Sequence, residues 1–372
     1  MKRKTIIFLL PLLLFFLCGA SLEEDFIRSE TEKIKSADLS SYLSEETEEI
    51  LEIIGFDDIS TEKILSFSFK DIISFVYESA AKSFTEPLRA VFYILSAAIL
   101  CSVINCFCDN FSETGPVINA VSTLAVSLTI LLPIKEIFTL SAKAIGECSD
   151  FMLGFIPVYS SAVAATGNIS SAAGYRTLML GASSLIGRIA SETVLPLICI
   201  FLAMCIAGSV SEVDIGEVAK SFKNFAVWVL TVSMSVFSAI LGLGTLVSSS
   251  ADASVSKTAK FLVGSAVPIV GSAVSDALVS LKGCLSLTKN VFGIYGIIVT
   301  AAIFLPILIT AMSWKICLSS AASISKISGN KNLCGLLSSA SSAMGVVLAL
   351  LVVCSMMFIF SVSILMMTGG GF

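Results

Sequence analysis

Long apolar stretches alternate with short polar ones along most of the chain. Six of them, 88–107, 117–132, 193–210, 225–247, 291–312 and 344–367, are about as long as a bilayer asks of a helix. Two weaker segments, 151–168 and 261–281, are rich in Gly, Ser and Ala and interrupted by Pro157 and Pro268. The pattern predicts an all-α polytopic membrane protein with six to eight transmembrane helices, two of the segments broken by Gly and Pro. Broken, small-residue segments belong beside other protein or a water-filled cavity, because lipid offers no partner for a freed backbone group.

The first 86 residues are patterned differently. Lys2, Arg3 and Lys4 precede an apolar run over 6–17 and the small residues Cys18, Gly19 and Ala20. That is a secretory signal pattern, with cleavage expected after Ala20, and it starts residue 21 outside the cytoplasm. Residues 21–86 hold 17 Asp/Glu against 6 Lys/Arg, and they predict an acidic helical extracytoplasmic segment. Ser44 followed by Glu45, Glu46 and Glu48 opens like a helix, with an N-cap serine and acids in the first turn, and Gly55 stops it. A second helix is predicted from near Ser60. Its stripe of Leu65, Phe69, Ile72, Ile73 and Val76 packs on the first helix, lies on the bilayer surface or docks an extracytoplasmic partner. Three parts result: a signal peptide over 1–20, the acidic segment over 21–86 and a multi-span membrane domain over 87–372.

Composition agrees: 56% of residues are hydrophobic, 14% are charged and the mean hydropathy is +0.95. Residues 87–372 hold 11 Asp/Glu and 14 Lys/Arg, with no basic patch suited to nucleic acid. The same charges bear on topology. With the amino end outside, six spans leave 5 Lys/Arg in interior loops and 8 in exterior ones, whereas eight spans leave 7 inside and 6 outside. The positive-inside tendency therefore leans toward eight, with re-entrant hairpins as an alternative. Eight spans would also let PVYSSAV at 157–163 and PIVGSAV at 268–274 mark two inverted three-helix repeats.

Little chemistry is available. The chain has no histidine, which removes Ser-His and Cys-His catalysis and HExxH zinc sites. It has no G-x-x-x-x-G-K-[ST] loop, and Gly242-Leu243-Gly244 lacks the Asp that would follow in an intramembrane aspartyl protease. No catalytic residue, metal site or cofactor is expected. Asp276 costs on the order of 3 kcal/mol at a helix centre. It either lines a pathway or pairs with a basic residue of another subunit, or else it sits near its segment end, where Lys282 and water satisfy it. Gly264, Pro268, Gly271, Asp276 and Pro157 are the candidate pathway or packing residues. The eleven cysteines show no disulfide pattern, and those within apolar spans read as small buried hydrophobes. Trp314-Lys315 reads as an interface anchor. Runs of small residues at 170–174, 319–323 and 336–345 allow close helix contact within the chain or between copies.

The order of parts resembles the stage III sporulation protein AE family of endospore-forming bacteria. The resemblance rests on GYRTLMLGASSLIGRIASETVLPL, on KFLVGSAVPIVGSAVSDALVSLKGCLSLTKNVFGIYG and on the long final span. The spacing of Gly264, Pro268, Gly271, Asp276, Gly283, Lys289, Asn290 and Gly293 carries it most specifically. The resemblance implies a multi-pass protein of the mother-cell membrane around the forespore, part of a channel-like, secretion-like complex that supports forespore development and late gene expression. It implies as partners other membrane proteins of the same operon, an ATPase and a forespore-side protein across the intermembrane space. A self-contained secondary transporter and a non-conducting assembly scaffold are the alternatives.

Overall fold

The computed structural model describes residues 39–54, 83–96, 99–100, 114–166, 169–210, 215–240, 271–327 and 331–367. The signal pattern, the stripe over 65–76, Gly264 and Pro268 lie outside the described residues, as does much of the first apolar stretch. Every described element is helical. The helices are α1 (Glu45–Ile54), α2 (83–96), α3 (Thr114–Ala165), α4 (Ile169–Arg188), α5 (Leu195–Val210), α6 (Gly216–Ile240), α7 (Gly271–Ile327) and α8 (Lys331–Met367). Among the described residues five stretches are long and apolar enough to cross a membrane: Thr123–Ala165, Ala172–Ser209, Gly216–Ile240, Lys289–Lys326 and Asn332–Ile364. The chain is a helical membrane protein, and the expected six to eight spans are met roughly.

The helices are fewer and longer than the hydropathy pattern predicts. Segments 117–132 and 151–168 were expected as separate crossings, yet α3 carries both up to Ala165, with Pro133 and Pro157 inside it. Its 52 residues make a rod of about 78 Å, far longer than the roughly 30 Å hydrocarbon layer. In the same way α7 runs unbroken from Gly271 to Ile327, through the Lys-bounded stretch 282–290 expected as a link. The reversals that eight spans require at these two places are therefore absent. A proline removes one intrahelical hydrogen bond and strains one turn; neighbouring helices packed on both sides hold the rod together across it.

Between α4 and α5 the backbone widens into a π-turn over Ile189–Val194, closed by a bond from Leu195 N–H to the Ala190 carbonyl. Pro196 explains the position. It has no N–H to offer the Glu192 carbonyl one turn back, and its ring crowds that carbonyl. Residues 169–210 are thus one continuous helical arm rather than a loop followed by a span.

The core is an antiparallel hairpin of α7 and α8. Phe304 and Phe358, both fully buried, stack at 6.2 Å midway along it, and Ser341 Oγ donates to the Lys315 carbonyl at 3.3 Å nearer the turn. Against this hairpin α3 lies antiparallel to α7, and α4 folds back along α3, bringing Gly187 beside Ser149. Helix α6 closes the side of α5 and α8. At the amino end, Ser44 caps α1 as the sequence predicts, with Glu45, Glu46 and Glu48 in the first turn, while Gly55 lies outside the described residues.

Candidate functional site

Two places concentrate unusual residues. The first is the seam between α3 and α7. Phe151, Phe155 and Tyr159 recur every fourth residue on α3, so they share one face and stack in a ladder with ring centroids 5.3 Å apart at each step. Facing them on α7 are Gly293 and Gly296. A Cβ at Gly296 would stand 2.6 Å from Phe155 Cζ, and one at Gly293 would stand 2.8 Å from the Tyr159 hydroxyl. Tyr295 reaches the ladder from the side, 6.5 Å from Phe151. Lipid tails are as apolar as a helix face, so close fit rather than exclusion of water has to hold such helices together. The missing side chains at 293 and 296 let the rings lie on the α7 backbone.

Beside this seam, Lys289 is buried to 1% exposure and donates from Nζ to the Met366 carbonyl at 2.6 Å. Met366 belongs to the last turn of α8, whose carbonyls have no donors within their own helix. The ammonium therefore caps a neighbouring helix at its negative end. Of the other residues in the run that carries the resemblance, Gly271 begins α7 and Asp276 lies in its second turn. Pro157 is half-buried in α3, two residues past Phe155 and before the Tyr159 rung of the aromatic ladder. The described candidates thus belong to two helices packed on one another.

The second place is a cavity of about 820 Å³ between α6, α7 and α8, near the α7–α8 turn. It is lined by Lys223, Lys315 and Lys326, by Asn224, and by five serines, among them Ser338 and Ser342. No Asp or Glu lines it, and the described ion pairs, Lys143–Glu46, Arg188–Glu192 and Lys220–Glu217, involve none of its lysines. Lys223 lies 5.9 Å from the Phe201 ring centroid, within cation–π range, and the Lys315 stem runs over Gly345, where a Cβ would be 3.4 Å from Cε. The glycine lets the long side chain lie flat on α8.

This cavity also bears on sidedness. Eight spans put the loops holding Lys223 and Lys315 on opposite faces of the membrane, whereas here both residues line one cavity. Six spans put them on the same face, which is compatible with one shared cavity. The cavity itself was missed in the sequence. Its serines lie in the small-residue runs at 319–323 and 336–345, which read as helix contact, and only helical spacing of Ser338, Ser341, Ser342 and Gly345 hints at a shared face.

Comparison with known proteins follows the same line. The family described as Stage III sporulation protein AE matches residues 56–369. The stage III sporulation protein AE of Bacillus subtilis (strain 168) is 24% identical over 358 residues, which cover 90% of each chain. No solved structure matches the chain. With the family match running through all the long helices of the bundle, the chain belongs to the stage III sporulation protein AE family.

Proposed function

We propose that the chain is an integral membrane component of a channel-like, secretion-like complex in the mother-cell membrane around the forespore, where it supports forespore development and late gene expression. The observation that carries this reading is the family match over 56–369 in a chain with five membrane-length apolar helices. The proposed partners are other membrane proteins of the same operon, an ATPase, and a forespore-side protein met across the intermembrane space by the acidic amino-terminal segment. The sequence has no phosphate-binding loop of the G-x-x-x-x-G-K-[ST] type, which fits energy supplied by a partner. The reading assigns no reaction to the chain.

Deleting the gene in the source organism and following sporulation by microscopy with a late forespore reporter tests this. Normal growth with collapsed, silent forespores after engulfment is the expected result. Normal spores would overturn it. One observation favours a second reading as a non-conducting scaffold: Pro157 is half-buried and does not line the lysine cavity. Water-soluble thiol reagents reacting with cysteines placed along 264–276 in the assembled complex would reject the scaffold.

A further inference from the structure

We propose that the cavity between α6, α7 and α8 is a binding site for a phosphate-bearing anion. Three lysines line one void, and among the described residues none of them has a carboxylate within ion-pairing distance. Like charges gathered around an open space repel one another, and a bound anion relieves that repulsion. The donor set fits phosphate better than carboxylate. Lysines bind phosphate as mobile point charges and serine hydroxyls add short donors, whereas the planar fork that holds carboxylates in two-point fashion is an arginine property, and no arginine lines the cavity.

The volume, about 820 Å³, is that of a small-molecule site rather than of a single ion. Val227, Ala322 and Val346 give the void an apolar side. Just outside it, Phe225, Trp228 and Ile316 are exposed large hydrophobics on the same helices. A polar, cationic notch bordered by apolar surface suits the headgroup of an anionic phospholipid, and a soluble phosphate ester shares the same chemistry.

The test uses the full-length protein purified in neutral detergent, with native mass spectrometry for retained lipid and thermal unfolding for soluble ligands. Phosphatidylglycerol and phosphatidylcholine are the lipid probes, and pyrophosphate is the soluble one. The wild type should retain phosphatidylglycerol at least ten-fold over phosphatidylcholine, or else be stabilised by pyrophosphate; the first result identifies a lipid headgroup and the second a soluble phosphate. Lys223→Gln/Lys315→Gln/Lys326→Gln should lose the effect at least ten-fold. Lys326→Gln alone, at an exposed position, should weaken it about three-fold without disturbing the bundle. Ser342→Phe keeps every lysine and takes up part of the void, so it should also weaken binding, whereas mere surface attraction would survive it. Binding that the single and filled variants leave unchanged, or a wild type that takes up neither probe, would overturn the proposal.

Discussion

The Phe155 ring occupies the space that a side chain at Gly296 would need: a Cβ there would stand 2.6 Å from Cζ and 2.8 Å from Cε1. Phe155 is itself 1% exposed and stacked on both sides, by Phe151 and by Tyr159, so it has nowhere to move. The two residues fix how closely α3 approaches α7.

Gly296→Val should therefore destabilise the bundle by about 1–3 kcal/mol, the usual cost of overpacking. Phe155→Ala alone removes a buried ring and should cost about 3–5 kcal/mol. The double variant should be little worse than Phe155→Ala, because the ring that the valine meets is gone. Gly181 has nothing within 4 Å of a Cβ, so Gly181→Ala should be neutral or gain up to about 1 kcal/mol. Thermal unfolding in detergent measures all four, and simple additivity at 155 and 296 would refute the contact.

A second expectation concerns the amino-terminal segment. Glu147 Oε1 on α3 accepts three hydrogen bonds, from Ser44 N–H at 2.8 Å, Ser44 Oγ at 2.9 Å and Thr47 Oγ1 at 2.7 Å. The carboxylate thus sits at the positive end of α1, where a negative charge is favoured. Hydrogen bonds to a charged group contribute about 1.5–3 kcal/mol each when sheltered. Glu147→Ala should free the segment and speed glutamyl-protease cleavage within Glu45–Glu52 at least ten-fold. Lys143→Gln removes only an exposed 3.7 Å ion pair to Glu46 and should leave the cleavage rate nearly unchanged. Equal cleavage in wild type and Glu147→Ala would show that the segment is held elsewhere.

Much of this architecture was legible in the sequence, and the exceptions have physical causes. Ser44 and the acids after it mark the start of α1 correctly because capping is a local matter of a few residues. The apolar content of the long helices was equally plain. What was not legible is where one helix ends and the next begins. Pro157 read as a break and the Lys-bounded stretch 282–290 as a link, yet both lie inside continuous rods, and Gly293 and Gly296 leave room that a neighbouring helix fills. Gly154 is the same case: a Cβ there would stand 2.7 Å from the Tyr42 ring, a partner more than a hundred residues away. The lysine cavity was hidden for a related reason. Lys223 and Lys315 are separated by most of two helices, and nothing near either of them announces the other.

Lys289 offers a third test. Its ammonium caps α8 through the Met366 carbonyl, and its stem is buried against the α3–α7 seam. Lys289→Met keeps the stem and removes the donor. It should leave the bundle folded and speed amide hydrogen exchange in the last turn of α8, over 363–367, by about ten-fold, which matches a bond of roughly 1.5 kcal/mol. Lys289→Ala removes the stem as well and should lower the unfolding temperature further. Unchanged exchange at 363–367 in the methionine variant would mean that the cap is dispensable.

The last expectation separates wet from dry thiols. Cys334 lines the lysine cavity, whereas Cys148 and Cys354 are buried, at 0% and 1% exposure, between α3, α7 and α8. Cys199 is exposed, but on α5, a helix of high apolar content whose outer face is suited to lipid. In single-cysteine versions of the protein, a charged maleimide should modify Cys334 within minutes and leave Cys148 and Cys354 untouched until denaturant is added. Cys199 should react with an apolar maleimide in preference to the charged one. Reaction needs access for the reagent, which burial denies to the pair. A Cys334 as inert as Cys354 would mean that water does not enter the cavity, and the three lysines would then need a different counter-charge.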